Sequence, residues 1–395
     1  MEINQKSLEL GSNRSVIREL FEFGKKRAAE IGAENVYDFS LGNPSVRPPK
    51  ELSDAIDELL KTENSVSLHG YTSAQGDAGT RKAIADYINE RFNVGITENG
   101  IYMTCGAAAS LTISLRAVLN QPDEVIVFAP FFTEYRVFTE SMGGKLVISK
   151  PNEKDLQIDF EDFESKINEN TRAVIVNSPN NPSGVVYTEE TIVKLAELLK
   201  KKEKEYGKTI YIIADEPYRE LVYDDIKVPY LMNYYDDTLV CYSYSKSLSL
   251  PGERIGYIAV SPKCENSDKV YFAVCGAGRA LGYVCAPSLF QKVIAKCVRA
   301  KVDISVYKEN RDILLKELTE MGYTCVRPDG AFYLFIKSPE SDANAFSERA
   351  KKYNILVVPC DDFGVKGYVR LAYCVDKDRI VKSLPAFSKL IKEYK

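Results

Sequence analysis

Histidine is almost absent from this sequence, since its 395 residues include a single one, His69. A single histidine leaves little from which to build a histidine-based zinc site or the Ser-His or Cys-His pair of many hydrolases. Long apolar runs are missing too: no stretch of eighteen or more apolar residues occurs, and the first twenty residues lack the apolar core of a signal peptide. We therefore expect a cytoplasmic protein that neither spans a membrane nor hydrolyses its substrate in those ways.

Paired cysteines are also missing. Nine Cys are scattered along the chain without a C-x-x-C spacing, and their number is odd. We interpret them as reduced, mostly buried thiols. The net charge is −4, and no basic cluster is interleaved with aromatic residues, so nothing indicates binding to nucleic acid or to an anionic membrane. A function on small molecules is favoured, and no metal site is expected.

The length predicts more than one domain, because a single hydrophobic core stops growing well before 395 residues. From about residue 48 to 294, strand-like runs alternate with helix-like segments, the pattern of a mostly parallel sheet covered by helices. A long helical segment, roughly 285–318, precedes three strand-like runs whose sequence pattern differs from that of the large sheet. The sequence thus predicts an α/β fold with a large domain over 48–290 and a small, discontinuous α+β domain over 1–47 and 291–395.

Short apolar runs rich in Val, Ile and Tyr predict the strands of the large sheet. These runs begin at residues 101, 124, 172, 209, 238 and 254, and those of the second domain begin at 330, 355 and 368. Apolar residues at helical spacing predict helices over 108–119 and 188–202. Polar residues gather where the strands end, which is the edge at which open α/β sheets bind ligands.

The strongest chemical signal is the segment YSYSKSLSLPGERIG over residues 242–256. It predicts that Lys246 lies at the end of a strand. A lysine amine can form a Schiff base with an aldehyde cofactor. Ser243, Ser245 and Arg254 offer hydroxyl and guanidinium donors suited to a phosphate. An isolated lysine would more often be a solvated surface residue, but the other motifs favour the functional interpretation.

An acid at the end of a second strand is the next signal. The strand predicted within YIIADEP ends at Asp215, and Tyr218 follows three residues later. A buried carboxylate can hold the nitrogen of a pyridine ring protonated, so that the ring accepts the electrons released when a substrate bond breaks. Tyr218 would then donate to the oxygen on that ring. Upstream, Asn181 lies in the turn-forming run NSPNNPSG, where a purely structural turn is the alternative.

Three further segments add binding groups. The run CGAAA joins a strand to a helix, and the backbone amides of Gly106, Ala107 and Ala108 would form an anion site there. Phe132, in APFFTEY, is placed by chain order to stack on a flat ring, although most such aromatics are core residues. Arg370, in YVRLAYC, could form a bidentate pair with a substrate carboxylate, with a surface arginine as the alternative.

Together these motifs resemble the class I/II pyridoxal-phosphate-dependent aminotransferases of fold type I, and the resemblance covers nearly the whole chain. It implies a seven-stranded sheet and pyridoxal 5'-phosphate as cofactor. Lys246 would be the Schiff-base residue and Asp215 the partner of the pyridine nitrogen, while Tyr218 and Asn181 would contact the ring oxygen. The implied phosphate cradle consists of Gly106, Ala107, Ala108, Ser243, Ser245 and Arg254.

The resemblance also implies how the substrate is bound. Arg370 and the backbone of Gly42, in SLGNP, would hold its carboxylate. Family members are usually homodimers, and HGYTSAQGDAGTRKAIA resembles the segment that sends a tyrosine, here Tyr71, to the neighbour's phosphate; a surface loop is the alternative. Arg279 falls near where relatives bring an arginine from the neighbour to a second carboxylate. Ala108 stands where many aspartate-specific relatives have a lysine, which weakens an aspartate assignment.

The implied function is the transfer of an amino group from an L-amino acid to a 2-oxo acid by a ping-pong mechanism, with the freed Lys246 amine as general base. A carbon–sulfur β-lyase on the same scaffold is the alternative, because the surroundings of the cofactor decide the fate of the carbanion. A regulator that binds the cofactor without turnover is disfavoured, because the pattern begins by about residue 40 and leaves no room for a DNA-binding domain.

Overall fold

The computed structural model describes residues 3–12 and 15–394, which form helices α1–α15 and strands β1–β13. The strands are β1 Tyr37–Asp38, β2 Ile101–Thr104, β3 Glu124–Phe128, β4 Lys145–Ser149, β5 Thr171–Asn177, β6 Tyr211–Asp215, β7 Thr238–Ser243, β8 Gly256–Val260, β9 Thr324–Val326, β10 Tyr333–Lys337, β11 Ile355–Leu356, β12 Val358–Pro359 and β13 Tyr368–Ala372. The helices are α1 Gln5–Ser12, α2 Val16–Ile31, α3 Lys50–Thr62, α4 Ser65–His69, α5 Ala78–Phe92, α6 Ala107–Val118, α7 Glu134–Ser141, α8 Phe160–Lys166, α9 Glu189–Tyr206, α10 Tyr244–Ser247, α11 Ser267–Ala280, α12 Ser288–Cys297, α13 Ser305–Met321, α14 Ala343–Lys351 and α15 Lys377–Lys392.

The large sheet has seven strands in the order β2-β8-β7-β6-β5-β3-β4. Neighbours from β7 to β4 run parallel, whereas β8 is antiparallel to both β2 and β7. The carboxyl ends of the parallel strands therefore meet at one edge, and the amino end of β8 lies at that same edge. The predicted mostly parallel α/β fold is confirmed.

Both faces of this sheet are buried, which explains why its strands read as continuous apolar runs. Along β3, Ile126 packs into the core on one face, while Val125 and Val127 pack into the core on the other. Helices α5, α9 and α12 contribute apolar side chains to the first core, and α6 and α11 contribute to the second. The sheet is thus a rigid platform whose carboxyl edge is free to present functional groups.

A second sheet follows in the chain. It has four antiparallel strands in the order β12-β13-β10-β9, and it places Arg370 of β13 opposite Phe335 and Val358. Near the start of the chain, β1 pairs in parallel with β11, with Tyr37 opposite Ile355. This pairing supports the predicted packing of the N-terminal segment with the second domain, but the domain boundaries stay a prediction.

The elements differ from the sequence prediction in several places, which include the unpredicted short strands β1 and β9. The strand Lys145–Ser149 was not predicted; it lies at the edge of the large sheet, where only some of its residues are buried. The apolar run at 355 forms two short strands, β11 and β12, rather than one. The single helical segment over 285–318 is two helices, α12 and α13, separated by residues 298–304.

In the described part of the chain, no helix is both long and apolar enough to cross a membrane. All nine Cys are free thiols, and Cys241, Cys264, Cys297, Cys360 and Cys374 are buried. The interpretation of reduced thiols that are mostly buried agrees with this arrangement.

Candidate active site

A cavity of about 410 Å³ opens at the carboxyl edge of the large sheet, between that sheet and the second one. This volume is in the range of small-molecule sites. Most residues predicted for the site line it: Gly42, Ala107, Ala108, Phe132, Asn181, Asp215, Tyr218, Ser243, Ser245, Lys246, Arg254 and Arg370. The sheet topology explains this convergence, because β5, β6 and β7 end side by side, with Asn177 paired to Asp215 and Asp215 paired to Cys241.

Lys246 lies on the one-turn helix α10 directly after β7, and the Ser243 side chain caps that helix by accepting from the Ser245 amide. The Nζ atom of Lys246 donates to the backbone oxygen of Gly42 at 2.6 Å and lies 5.3 Å from the centre of the Phe332 ring. Burial lowers the pKa of the Lys246 amine to about 8. About one tenth of this amine is therefore neutral, and nucleophilic, at pH 7.

Asp215 ends β6 and is 5% exposed. Its Oδ2 accepts from the Tyr135 hydroxyl at 2.5 Å, whereas its Oδ1 has no hydrogen-bond partner among the described residues. Burial raises the pKa of the Asp215 carboxyl to about 7, although the hydrogen bond from Tyr135 opposes that change. A buried carboxylate oxygen without a donor is costly, so this atom is a ready acceptor for a ligand N–H.

Arg370 is 2% exposed and projects from β13 towards the same cavity. Its Nη1 donates to Asn181 Oδ1 at 3.0 Å, and its Nη2 donates to the backbone oxygen of Ser40 at 2.6 Å. The Nε donor has no partner among the described residues, and no carboxylate is among the hydrogen-bond partners of the guanidinium. The positive charge of Arg370 is thus available to an anionic ligand.

Two tyrosine hydroxyls meet beside Arg370. Tyr218 and Tyr333 are hydrogen-bonded to each other at 2.9 Å, and the Arg370 guanidinium lies 4.6 Å from the centre of the Tyr333 ring. Tyr333 also explains the glycine at position 42, because a Cβ there would lie 2.2 Å from the Tyr333 hydroxyl oxygen. Because Gly42 packs closely against Tyr333, its backbone oxygen is held where it accepts the hydrogen bond from the Lys246 amine.

The opposite end of the cavity collects anion-binding groups. Ser243 and Ser245 are joined by a 2.7 Å hydrogen bond between their hydroxyls, and an Nη of Arg254 lies 3.5 Å from Ser245 Oγ. Helix α6 begins here after Gly106, without a side-chain cap, so its first amides are free to bind an anion. Gly106 has φ +88°, and a Cβ there would lie 2.7 Å from the Arg254 guanidinium.

Three residues at the site were missed by the sequence analysis. Tyr135 holds Asp215, Tyr333 contacts Tyr218, and Asn177 donates through Nδ2 to the backbone oxygen of Asp215 at 2.9 Å. Asn177 Oδ1 also accepts from the Asn181 amide, so it fixes the turn that carries Asn181. The position of Asn177 at a strand end, level with Asp215, was a usable signal, whereas the contacts of the tyrosines depend on the tertiary structure.

Three predicted residues do not line this cavity within one chain: Gly106, which is the N-cap of α6, and the exposed Tyr71 and Arg279. Tyr71 is 96% exposed, and Arg279, near the end of α11, is also exposed; neither lines the cavity. Both were expected to act on a neighbouring subunit, and their roles stay predictions. Within residues 3–12 and 15–394, no three His, Cys, Asp or Glu side chains are grouped as a metal site would require.

The cavity offers suitable groups for three parts of pyridoxal phosphate: its phosphate, its aldehyde and its ring nitrogen. Ser243, Ser245 and Arg254, with the start of α6, offer donors for the phosphate, and the Lys246 amine is available to the aldehyde. The unpaired Oδ1 of Asp215 is suited to a protonated ring nitrogen. Phe132, which lines the cavity edge-on to Tyr135, supplies a flat apolar face for the ring.

Comparisons with known proteins agree with this geometry. The family model of aminotransferase class I and II matches residues 34–384. An aspartate aminotransferase from Thermotoga maritima is 30% identical over 91% of this chain and 92% of its own length, and aromatic-amino-acid aminotransferase 2 from Thermococcus litoralis is 27% identical over 97% of both. The crystal structure of an aminotransferase from Eubacterium rectale superposes with a TM-score of 0.98, at 58% identity over the full length of both chains. The chain therefore belongs to the class I and II aminotransferases, and it is a transaminase that uses pyridoxal phosphate.

Proposed function

We propose that this transaminase takes the amino group of an L-amino acid and passes it to a 2-oxo acid in two half-reactions at one site, with Lys246 as the residue that attaches the cofactor through a Schiff base. The observation that carries the proposal is that Lys246, Asp215 and Arg370 line one cavity. When bound, pyridoxal phosphate supplies the aldehyde that takes up the amino group and the ring that delocalises electrons from the substrate α-carbon.

The residues of the cavity divide the work between binding and proton transfer. Arg370 would hold the α-carboxylate of either substrate through its free donor, together with the backbone of Gly42. This contact orients the α-carbon towards the Lys246 amine. Once released from the cofactor, that amine would remove the proton from the substrate α-carbon and pass it to the cofactor. Its pKa of about 8 suits a general base near neutral pH.

Asp215 and Tyr218 would act on the ring. The carboxylate of Asp215 would keep the ring nitrogen protonated through Oδ1, which favours electron withdrawal from the substrate. Tyr218, with its hydroxyl already oriented by Tyr333, and Asn181, oriented by Arg370, would donate to the ring oxygen. Both donors are preorganised by contacts that do not involve the substrate.

The carbon–sulfur lyase stays a less favoured alternative, because the relatives compared above are named as aminotransferases. The test is the absorption spectrum of the purified protein with pyridoxal phosphate during additions of single amino acids. We expect the visible band of the bound cofactor to disappear with an amino donor and to return with a 2-oxo acid. Release of pyruvate and ammonia from a cysteine conjugate without any acceptor would instead favour the lyase.

A homodimer would account for the two exposed residues. Tyr71 would reach the cofactor phosphate of the partner, and Arg279 would reach a second carboxylate of a dicarboxylic substrate there. If so, Arg279→Ala should raise KM for glutamate and aspartate by about tenfold while leaving KM for neutral amino acids unchanged. Steady-state kinetics with both classes of donor provides the measurement, and an equal loss for every donor would rule out a role in side-chain selection.

A further inference from the structure

The hydroxyl of Tyr135 is buried against one oxygen of the Asp215 carboxylate. Tyr135 lies on α7, is 2% exposed, and donates to Asp215 Oδ2 at 2.5 Å. The donor must be Tyr135, because burial and the neighbouring carboxylate raise the pKa of its hydroxyl well above the ordinary value. This contact leaves Oδ1 as the one unpaired oxygen of a buried acid that faces the cavity.

We propose that Tyr135 is a positioning residue, which fixes the rotation of the Asp215 side chain and favours its ionised form, so that Oδ1 stays free for the ring nitrogen of the cofactor. The proposal deepens the proposed function and rests on it. The backbone of Asp215 is already fixed by its strand neighbours and by the Asn177 side chain. The carboxylate can therefore move only by rotation of the Asp215 side chain. The 2.5 Å O–H···O⁻ hydrogen bond from Tyr135 restricts that rotation.

The surroundings of Asp215 otherwise oppose its ionisation. Burial favours the neutral acid, and the adjacent Glu216 adds a like charge. Cys241, paired with Asp215 in the sheet, and Tyr218 are neutral groups with raised pKa values. Within the described part of the chain, Tyr135 is thus the group that stabilises the carboxylate before the cofactor binds, because its hydrogen bond opposes the effect of burial on the pKa of Asp215.

The variant Tyr135→Phe isolates this effect, because it retains the ring that contacts Phe132 edge-on at 5.7 Å. Tyr230→Phe is the matched control. Tyr230 is 4% exposed, its hydroxyl has no hydrogen-bond partner among the described residues, and it does not line the active-site cavity. Both variants remove one buried hydroxyl, but only the first removes a donor to Asp215.

We expect Tyr135→Phe to raise the dissociation constant for pyridoxal phosphate and to lower kcat, each by about tenfold, with KM for the donor within about twofold of wild type. The acidic limb of the pH–rate profile should move to higher pH, a change that a purely structural defect would not cause. Tyr135→His, which retains a ring with a donor, should recover part of the cofactor affinity. Tyr230→Phe should match wild type in all of these measurements.

Wild-type cofactor affinity and an unmoved pH profile in Tyr135→Phe would overturn the proposal. Equal loss of affinity in Tyr135→Phe and Tyr230→Phe would overturn it as well, because the effect would then be one of packing. If Tyr135→Phe does not fold, Tyr135→His decides by the same affinity measurement. Failure of the proposed function would look different, since the wild-type protein would then bind the cofactor but exchange no amino group with any donor.

Discussion

Replacing Lys246 with Ala should lower kcat for transamination by at least about 10⁴-fold, since a positioned general base alone contributes about 10²–10⁴-fold. The variant would lose both the attachment point of the cofactor and the base that moves the α-proton. Among residues 3–12 and 15–394, no other lysine lines the cavity, and Arg254 and Arg370 cannot replace the amine because a guanidinium stays protonated. Stopped-flow and steady-state assays with a saturating donor measure the effect.

The protonation state of Lys246 also predicts a pH dependence. Burial lowers the pKa of its amine from 10.5 to about 8. Below that pH the amine is mostly protonated, and the protonated form cannot attack an aldehyde, whereas above it the neutral form dominates. The rate at which the cofactor-free protein takes up pyridoxal phosphate should therefore rise with pH and level off above about 8, instead of continuing to rise towards 10.5 as for an exposed lysine.

Two controls separate chemistry from charge. Lys246→Arg retains the positive charge but not a titratable amine, so it should be as inactive as Lys246→Ala. Lys263→Ala, at an exposed site outside the cavity, should behave like wild type. Substantial activity in Lys246→Ala, or a normal visible band with pyridoxal phosphate, would show that another residue carries the cofactor.

The fold was predictable because burial on both faces of the sheet imposes apolar composition on each central strand. The runs that form β5, β6 and β7 were recognisable for that reason, and so was their shared carboxyl edge. Lys145–Ser149 escaped prediction because its apolar run, in KLVIS, is only three residues long between a lysine and a serine, as an edge strand with partly exposed residues allows. The division of the run at 355 into two strands depends on different pairing partners, β1 and β13, which no local pattern reveals.

The candidate site was predictable where a residue ends a strand or lies just after its end. Lys246 and Asp215 are of this kind, and their chemistry is recognisable from residue type and chain order. Tyr135 and Tyr333 are not, because each contacts a segment about 80 or more positions away, 135 to 215 and 333 to 218. Tyr71 and Arg279 are exposed in the single chain, so a function for them depends on a partner subunit, which one sequence does not reveal.

The second large effect is expected when Asp215 is replaced by Asn, which should lower the activity but raise the stability of the cofactor-free protein. The pKa of Asp215 is about 7 in the folded protein and close to the ordinary 3.8 when unfolded. Between these values the folded state binds the extra proton, so this group stabilises the cofactor-free protein as pH falls from about 7 towards 3.8. Above about pH 7 the buried carboxylate is ionised in both states, and its burial has a full free-energy cost.

Asp215→Asn removes that cost, and it should raise the free energy of unfolding of the cofactor-free protein at pH 8 by on the order of 1–3 kcal/mol. The same change should lower kcat by about 10³-fold, because an amide cannot stabilise a protonated ring nitrogen. Thermal unfolding without cofactor, with the pH varied from 5 to 8, measures the first effect. The gain should shrink as the pH falls below about 7, where Asp215 itself becomes neutral.

The neighbouring acid supplies the control, because Glu216 is equally buried but paired. Arg219 donates to both of its carboxylate oxygens at 2.5 Å, and the two side chains are 3% and 4% exposed. Glu216→Gln should therefore destabilise the protein by about 3–5 kcal/mol, since it leaves a buried guanidinium without its counter-charge. A stability loss in Asp215→Asn as well would mean that Oδ1 has a partner in the cofactor-free protein. In that case, the unpaired oxygen could not be the acceptor kept for the ring nitrogen.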